Sequence, residues 1–83
     1  MTLTDLPRRT LAVVDSVQDH GNNDNIARRL RELGFVAGEP VTIVAKGPVG
    51  AEPLLVQVGF TRFALRRSEA ARVRVLPQAQ EAA

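Results

Sequence analysis

Hydrophobic and polar residues alternate with a period of two in five stretches of the chain. From Thr10 to Val17, Leu11, Val13 and Val17 share one parity, and the β-branched residues favour an extended backbone, so the pattern predicts a strand. Val41, Ile43 and Ala45 alternate with Thr42, Val44 and Lys46 in a second, which Lys46-Gly47-Pro48-Val49-Gly50 breaks. A third runs from Leu54 to Val58, with Leu54, Val56 and Val58 on one face. Gly59 supplies a bend, and Phe60 to Arg66 follows with Phe63 and Leu65 inward, so Leu54 to Leu65 reads as a hairpin. Arg72 to Leu76 is the last alternating stretch, after which Pro77 and a Gln/Ala/Glu-rich tail read as frayed.

One segment has a helical period instead. Ile26, Leu30 and Leu33 recur at i, i+4 and i+7, while Arg28, Arg29, Arg31 and Glu32 occupy the remaining arc. The preceding run from His20 to Asn25 has turn chemistry throughout and ends in a helix cap. Gly34 is the stop: with glycine at C′, Phe35 takes C″ and Leu30 takes C3, the apolar pair that closes a Schellman motif. Near the C-terminus, Ser68 is placed to cap a single helical turn through Glu69-Ala70-Ala71.

The elements predict a mainly β fold, a small SH3-like antiparallel barrel of about five strands with one short amphipathic helix and a single-turn helix. With 83 residues, the chain has room for one domain, read as 1–77 with a flexible tail over 78–83. Cysteine is absent, which excludes disulfides, thiolate metal sites and cysteine nucleophiles. No stretch approaches the roughly 20 apolar residues of a membrane span, and Met1 to Thr10 has no apolar signal region, so the chain reads as cytoplasmic. The pI of 10.4 reflects arginine-rich basic residues and the lack of tyrosine, since the net charge is only +2.

Catalytic chemistry has little to work with. Ser16, His20 and Asp15 or Asp19 could be drawn as a triad, but they sit on a strand and a loop without a nucleophile elbow, so the chain reads as a non-enzyme. Gly47-Pro48-Val49-Gly50 lacks the Gly-Lys-Ser/Thr of a phosphate loop, and Glu52 follows. His20 with Asp19 and Asp24 offers a weak metal set within one loop, able to bridge two chains at high metal concentration; no cofactor is implied. Arg62, Arg66, Arg67, Arg72 and Arg74 form the one charge-dense segment, offset by Glu69. It suits a solvated face, an acidic protein partner or nucleic acid, but Phe35, Phe60 and Phe63 are the only aromatics available as base platforms. Without Trp or Tyr the barrel lacks the groove that grips Pro-rich peptides.

Two segments resemble a known family. Arg29-Leu30-Arg31-Glu32-Leu33-Gly34-Phe35-Val36-Ala37-Gly38-Glu39 is similar to the helix-and-turn signature of FeoA proteins, and Ala64-Leu65-Arg66-Arg67-Ser68-Glu69-Ala70 to their second signature. Pro48, Gly50 and Pro53-Leu54 stand where the family carries its Pro/Gly hairpin, so the resemblance spans about Leu3 to Leu76. Ala37 departs from a proline often found before Gly38. The resemblance implies a small cytosolic SH3-like barrel that assists FeoB, a membrane ferrous-iron transporter with a cytosolic GTP-binding domain. It also extends to the C-terminal module of DtxR-type repressors, whose winged helix has no counterpart here.

The function expected is an accessory or regulatory role in ferrous iron uptake, exerted by binding the cytosolic GTP-binding portion of the transporter, with the membrane reached only through it. Arg28, Arg29, Glu32, Arg66 and Arg67 are the candidate contacts. Leu30, Leu33, Gly34, Phe35, Gly38, Leu65, Glu69 and Ala70 carry the family signature and read as structural. Two alternatives remain: a nucleic-acid-binding barrel using Arg62 to Arg74, and a metal-binding module at His20. Exposed edge strands leave self-association open.

Overall fold

The computed structural model describes residues 1–78. Five strands, β1 (Ala12–Val17), β2 (Pro40–Val49), β3 (Glu52–Val58), β4 (Thr61–Leu65) and β5 (Val73–Pro77), form one antiparallel sheet in the order β4-β3-β2-β1-β5. Helix α1 (Asn25–Leu33) joins β1 to β2, and the single turn α2 (Arg67–Ala70) joins β4 to β5. No described helix is long and apolar enough to cross a membrane.

The β3–β4 hairpin follows the alternation closely. Leu54, Val56 and Val58 are buried, Leu65 is buried opposite Leu54, and Phe63 is half-buried opposite Val56. Only Gly59 and Phe60 separate the closing pair Val58 and Thr61. Gly59 has φ +57°, as the first position of a type II′ turn requires.

Strand β1 departs from the expected parity. Ala12, Val14 and Val17 are buried, whereas Leu11 is 52% exposed. A register shift against β5 between Val14 and Ser16 inserts one residue and returns Val17 to the face of Val14. Strand β2 does not stop at Lys46 but continues through Gly47 and Pro48 to Val49, which pairs with Glu52. Glycine permits this: a Cβ at position 47 would overlap the Glu52 carbonyl. The C-terminal turn also begins earlier than expected. Its N-cap is Arg66 rather than Ser68, because the Glu69 carboxylate accepts the Arg66 N–H at 2.8 Å.

Pro77 is not frayed; it ends β5 opposite Ala12, and the Gln78 N–H donates to the Leu11 carbonyl at 3.0 Å. The rest of the tail expected over 78–83 lies outside the described residues. A 3-10 turn at Leu3–Asp5 has no antecedent in the periodicity, yet Leu3 and Leu6 are each 1% exposed. They join Val14, Phe35, Val41, Ile43, Leu54, Val56 and Val73 in one core. Burying each such large side chain contributes about 1.5–3 kcal/mol.

Candidate binding groove

Helix α1 is held at both ends. Asp24 is its N-cap, accepting the N–H groups of Ile26 at 3.1 Å and Ala27 at 3.2 Å. The same carboxylate accepts the His20 N–H at 2.8 Å and Arg72 Nε at 2.7 Å. The Arg72 guanidinium, followed by the His20 amide, holds the Asp24 carboxyl far below its ordinary range. Arg72 also donates to the Ser68 carbonyl, so one ion pair ties the start of α1 to the α2–β5 corner. At the other end Gly34 is left-handed, φ +116°. The Phe35 N–H reaches the Leu30 carbonyl at 3.1 Å and the Gly34 N–H reaches that of Arg31 at 3.2 Å, the two bonds of a Schellman motif.

This anchoring buries Ala27 and Leu30 and brings Phe35 to Phe63, with ring centroids 6.0 Å apart. Ile26 and Leu33 are left only partly covered. They face β4 across a groove of about 340 Å³. Asn25, Ile26, Arg29, Leu30 and Leu33 line one wall, and Phe63, Ala64, Leu65 and Glu69 the other. Its lining joins apolar side chains with the polar Asn25, the basic Arg29 and the acidic Glu69.

The groove collects residues from both family-like segments, which are distant in sequence. Arg29, Leu30 and Leu33 come from the first, and Ala64, Leu65 and Glu69 from the second. Arg28 and Glu32 are exposed on α1 outside the lining, and Arg66 and Arg67 are exposed beyond β4. The Arg67 N–H is held by the Glu52 carboxylate at 2.6 Å, which staples the β2–β3 hairpin to α2. Gly34 and Phe35 shape the helix exit, the Gly38 N–H bonds the Val14 carbonyl, and Ala70 is fully buried. Periodicity marks Ile26 and Phe63 as apolar positions and Ala64 as outward, but it does not distinguish a groove lining from core or solvent.

The other candidate sets are dispersed. Arg62, on β4, donates to Gln57 on β3, while Arg74 lies on β5, at the opposite edge of the sheet, and Arg72 is engaged with Asp24. The arginine-dense segment therefore forms no single face. Of the loop ligands, Asp24 is committed as cap and ion pair, and Asp19 pairs with Arg31 at 3.1 Å. Among the described residues no group of three or more His, Cys, Asp or Glu side chains could hold a metal ion.

A family model, the FeoA domain, matches residues 1–77. The chain is 76% identical to Stenotrophomonas maltophilia FeoA, a crystal structure complexed with zinc and described as a prokaryotic SH3 domain protein proposed as a ferrous iron transport activating factor. That match covers 90% of this chain and 88% of the other, with a TM-score of 0.84. The solution structure of Chlorobium tepidum FeoA is 30% identical over 99% of this chain and 75% of its own, with a TM-score of 0.82. A FeoA-like protein from Clostridium acetobutylicum shares the fold at 20% identity, covering 98% of this chain and 90% of its own, with a TM-score of 0.82. No curated protein matches the chain.

Proposed function

The chain belongs to the FeoA family of ferrous iron transport, and on that premise we propose that it is a cytoplasmic accessory factor that binds the cytosolic GTP-binding portion of a FeoB-type transporter through the α1–β4 groove. The observation that carries this reading is the convergence of the two signature segments on one groove of mixed apolar and polar lining. A surface that recruits both is better suited to recognising a partner than either exposed arginine pair alone. The protein acts by contact, modulating uptake or the nucleotide cycle, without chemistry of its own.

The His20 loop gives the alternative metal-binding reading little support. With Asp24 bonded to four donors and Asp19 paired with Arg31, the loop leaves the His20 imidazole without a closed tetrahedral set.

The test is an amide-shift NMR titration of labelled protein with the purified cytosolic portion of the transporter, with and without guanine nucleotide. Saturable shifts clustered on Ile26, Arg29, Leu33, Phe63 and Ala64 are expected. Absence of shifts at high partner concentration, or shifts clustered away from α1 and β4, would remove the basis for the proposal.

A further inference from the structure

Strand β4 is an edge strand, and its free edge opens into the groove. The hairpin geometry fixes which backbone groups are free. Val58 and Thr61 close a two-residue turn and exchange hydrogen bonds, so Thr61, Phe63 and Leu65 direct their N–H and C=O groups toward β3. Those of Arg62 and Ala64 then point the other way. Among the described residues, no hydrogen bond from a loop, cap or side chain reaches them. The sheet's other edge is closed: the Val75 N–H donates to the Met1 carbonyl at 3.0 Å, and Thr2 bridges Arg74.

We propose that the occupant of the groove is an extended segment of the partner that adds to β4 as a sixth strand, with apolar side chains alternating with acidic ones. The proposal rests on the groove being the docking site and specifies what it binds. A strand supplies the C=O and N–H groups that Arg62 and Ala64 lack, whereas a helix laid in the same groove would cover those groups and leave them unpaired. Side-chain parity sets the pattern. Residues of the added strand on the side of Phe63 and Leu65 face the apolar wall of Leu30 and Leu33, so they are apolar. The alternate residues fall on the side of Arg62, which is exposed, with Arg66 exposed at the end of β4. Carboxylates there meet arginine. Glu69, the acid on the lining, is turned to the Arg66 N–H at 2.8 Å. With β4 only five residues long, the recognised segment is short.

The probe is a capped hexapeptide of alternating valine and glutamate, titrated into the labelled full chain, beside an analogue N-methylated at alternate backbone nitrogens and one with lysine for glutamate. Expected are saturable shifts of the Arg62 and Ala64 amides, with affinity weaker for the N-methylated analogue by about tenfold for each peptide N–H bond lost to the Arg62 and Ala64 carbonyls. Ala64→Pro removes the outward N–H and leaves the β3 ladder intact; it should weaken the peptide similarly while preserving the remaining amide spectrum. The measurement with the N-methylated analogue stands even if that variant does not fold. Lysine for glutamate should also weaken binding. No binding at about 5 mM, or binding indifferent to N-methylation, overturns strand addition. Titrating the transporter's cytosolic portion in parallel separates the two claims. If it shifts the groove while the peptide does not, docking stands and strand addition falls; if the peptide binds and the transporter portion does not, docking to that portion falls.

Discussion

The two edges of the sheet are treated differently. At β5 the chain folds its own N-terminus over the edge: Met1 accepts the Val75 N–H, Thr2 bridges Arg74, and Leu3 and Leu6 drop into the core beside them. Among the described residues nothing comparable arrives at β4. Instead α1 stands across a groove, presenting Ile26 and Leu33 toward a strand whose outward amides have no described partner. An edge left open invites pairing with other chains, and proteins commonly blunt it by shortness and charge. Here the open edge is short and carries Arg62. One edge thus serves stability and the other is available for recognition.

The largest effect that sharpens this contrast belongs to the closed edge. Leu3→Ala should destabilise by about 2–5 kcal/mol through the cavity it leaves, lowering the melting temperature by roughly 4–8 °C per kcal/mol in a domain of this size. A change of less than about 1 kcal/mol by chemical denaturation would mean that the N-terminal segment does not hold β5. Next is the mount of the groove's helical wall. Gly34→Val forces a β-branched residue to φ +116° at a cost of about 1–3 kcal/mol. Gly34→Asn should recover part of that, since asparagine tolerates the left-handed region better. Equal melting temperatures for the two variants would contradict the Schellman assignment.

The Asp24–Arg72 pair has a pH signature. Because the folded state holds the Asp24 carboxyl below its ordinary value of 3.8, its contribution is present above that pH and is lost as the pH falls below it. The melting temperature of the wild type should therefore drop more steeply between about pH 4.5 and 2 than that of Asp24→Asn. Parallel acid limbs would mean that the pair does not stabilise the fold. Ala64→Pro, at the open edge, should have the smallest effect on stability, about 1 kcal/mol. A loss as large as that of Leu3→Ala would show that the β4 edge is already engaged in the free protein.

Much of this architecture is legible in the sequence, for identifiable reasons. The β3–β4 hairpin has uninterrupted alternation around a glycine turn, and Leu30, Gly34 and Phe35 satisfy a capping geometry that tolerates few other residues. Reading failed where the backbone departs from its period. The bulge in β1 exchanges the faces of Leu11 and Ala12, and Gly47 carries β2 past a proline because a close backbone approach needs no turn there. Leu3 and Leu6 lie in too short a run to show a period at all. Among site residues, Leu30 and Leu33 follow from the helical period and Arg29 from the polar arc of the same helix, while the open amides of β4 depend on strand order, which periodicity does not encode. Asp24 reads from the sequence as a weak metal donor, but its role is that of a cap and ion-pair hub. Asx residues before a helix are caps by default, and Arg72 is 48 positions away.

Hydrogen–deuterium exchange resolved by residue is the most direct test of the contrast between edges. In the free protein, the Val75 amide should exchange slowly, as should Phe63 within the β3 ladder, while Arg62 and Ala64 exchange at nearly unprotected rates. On adding the valine–glutamate peptide, protection should appear at Arg62 and Ala64 and leave Val75 unchanged. Equal protection of Ala64 and Val75 in the free protein would contradict an open β4 edge, and with it the account of how the groove recognises its partner.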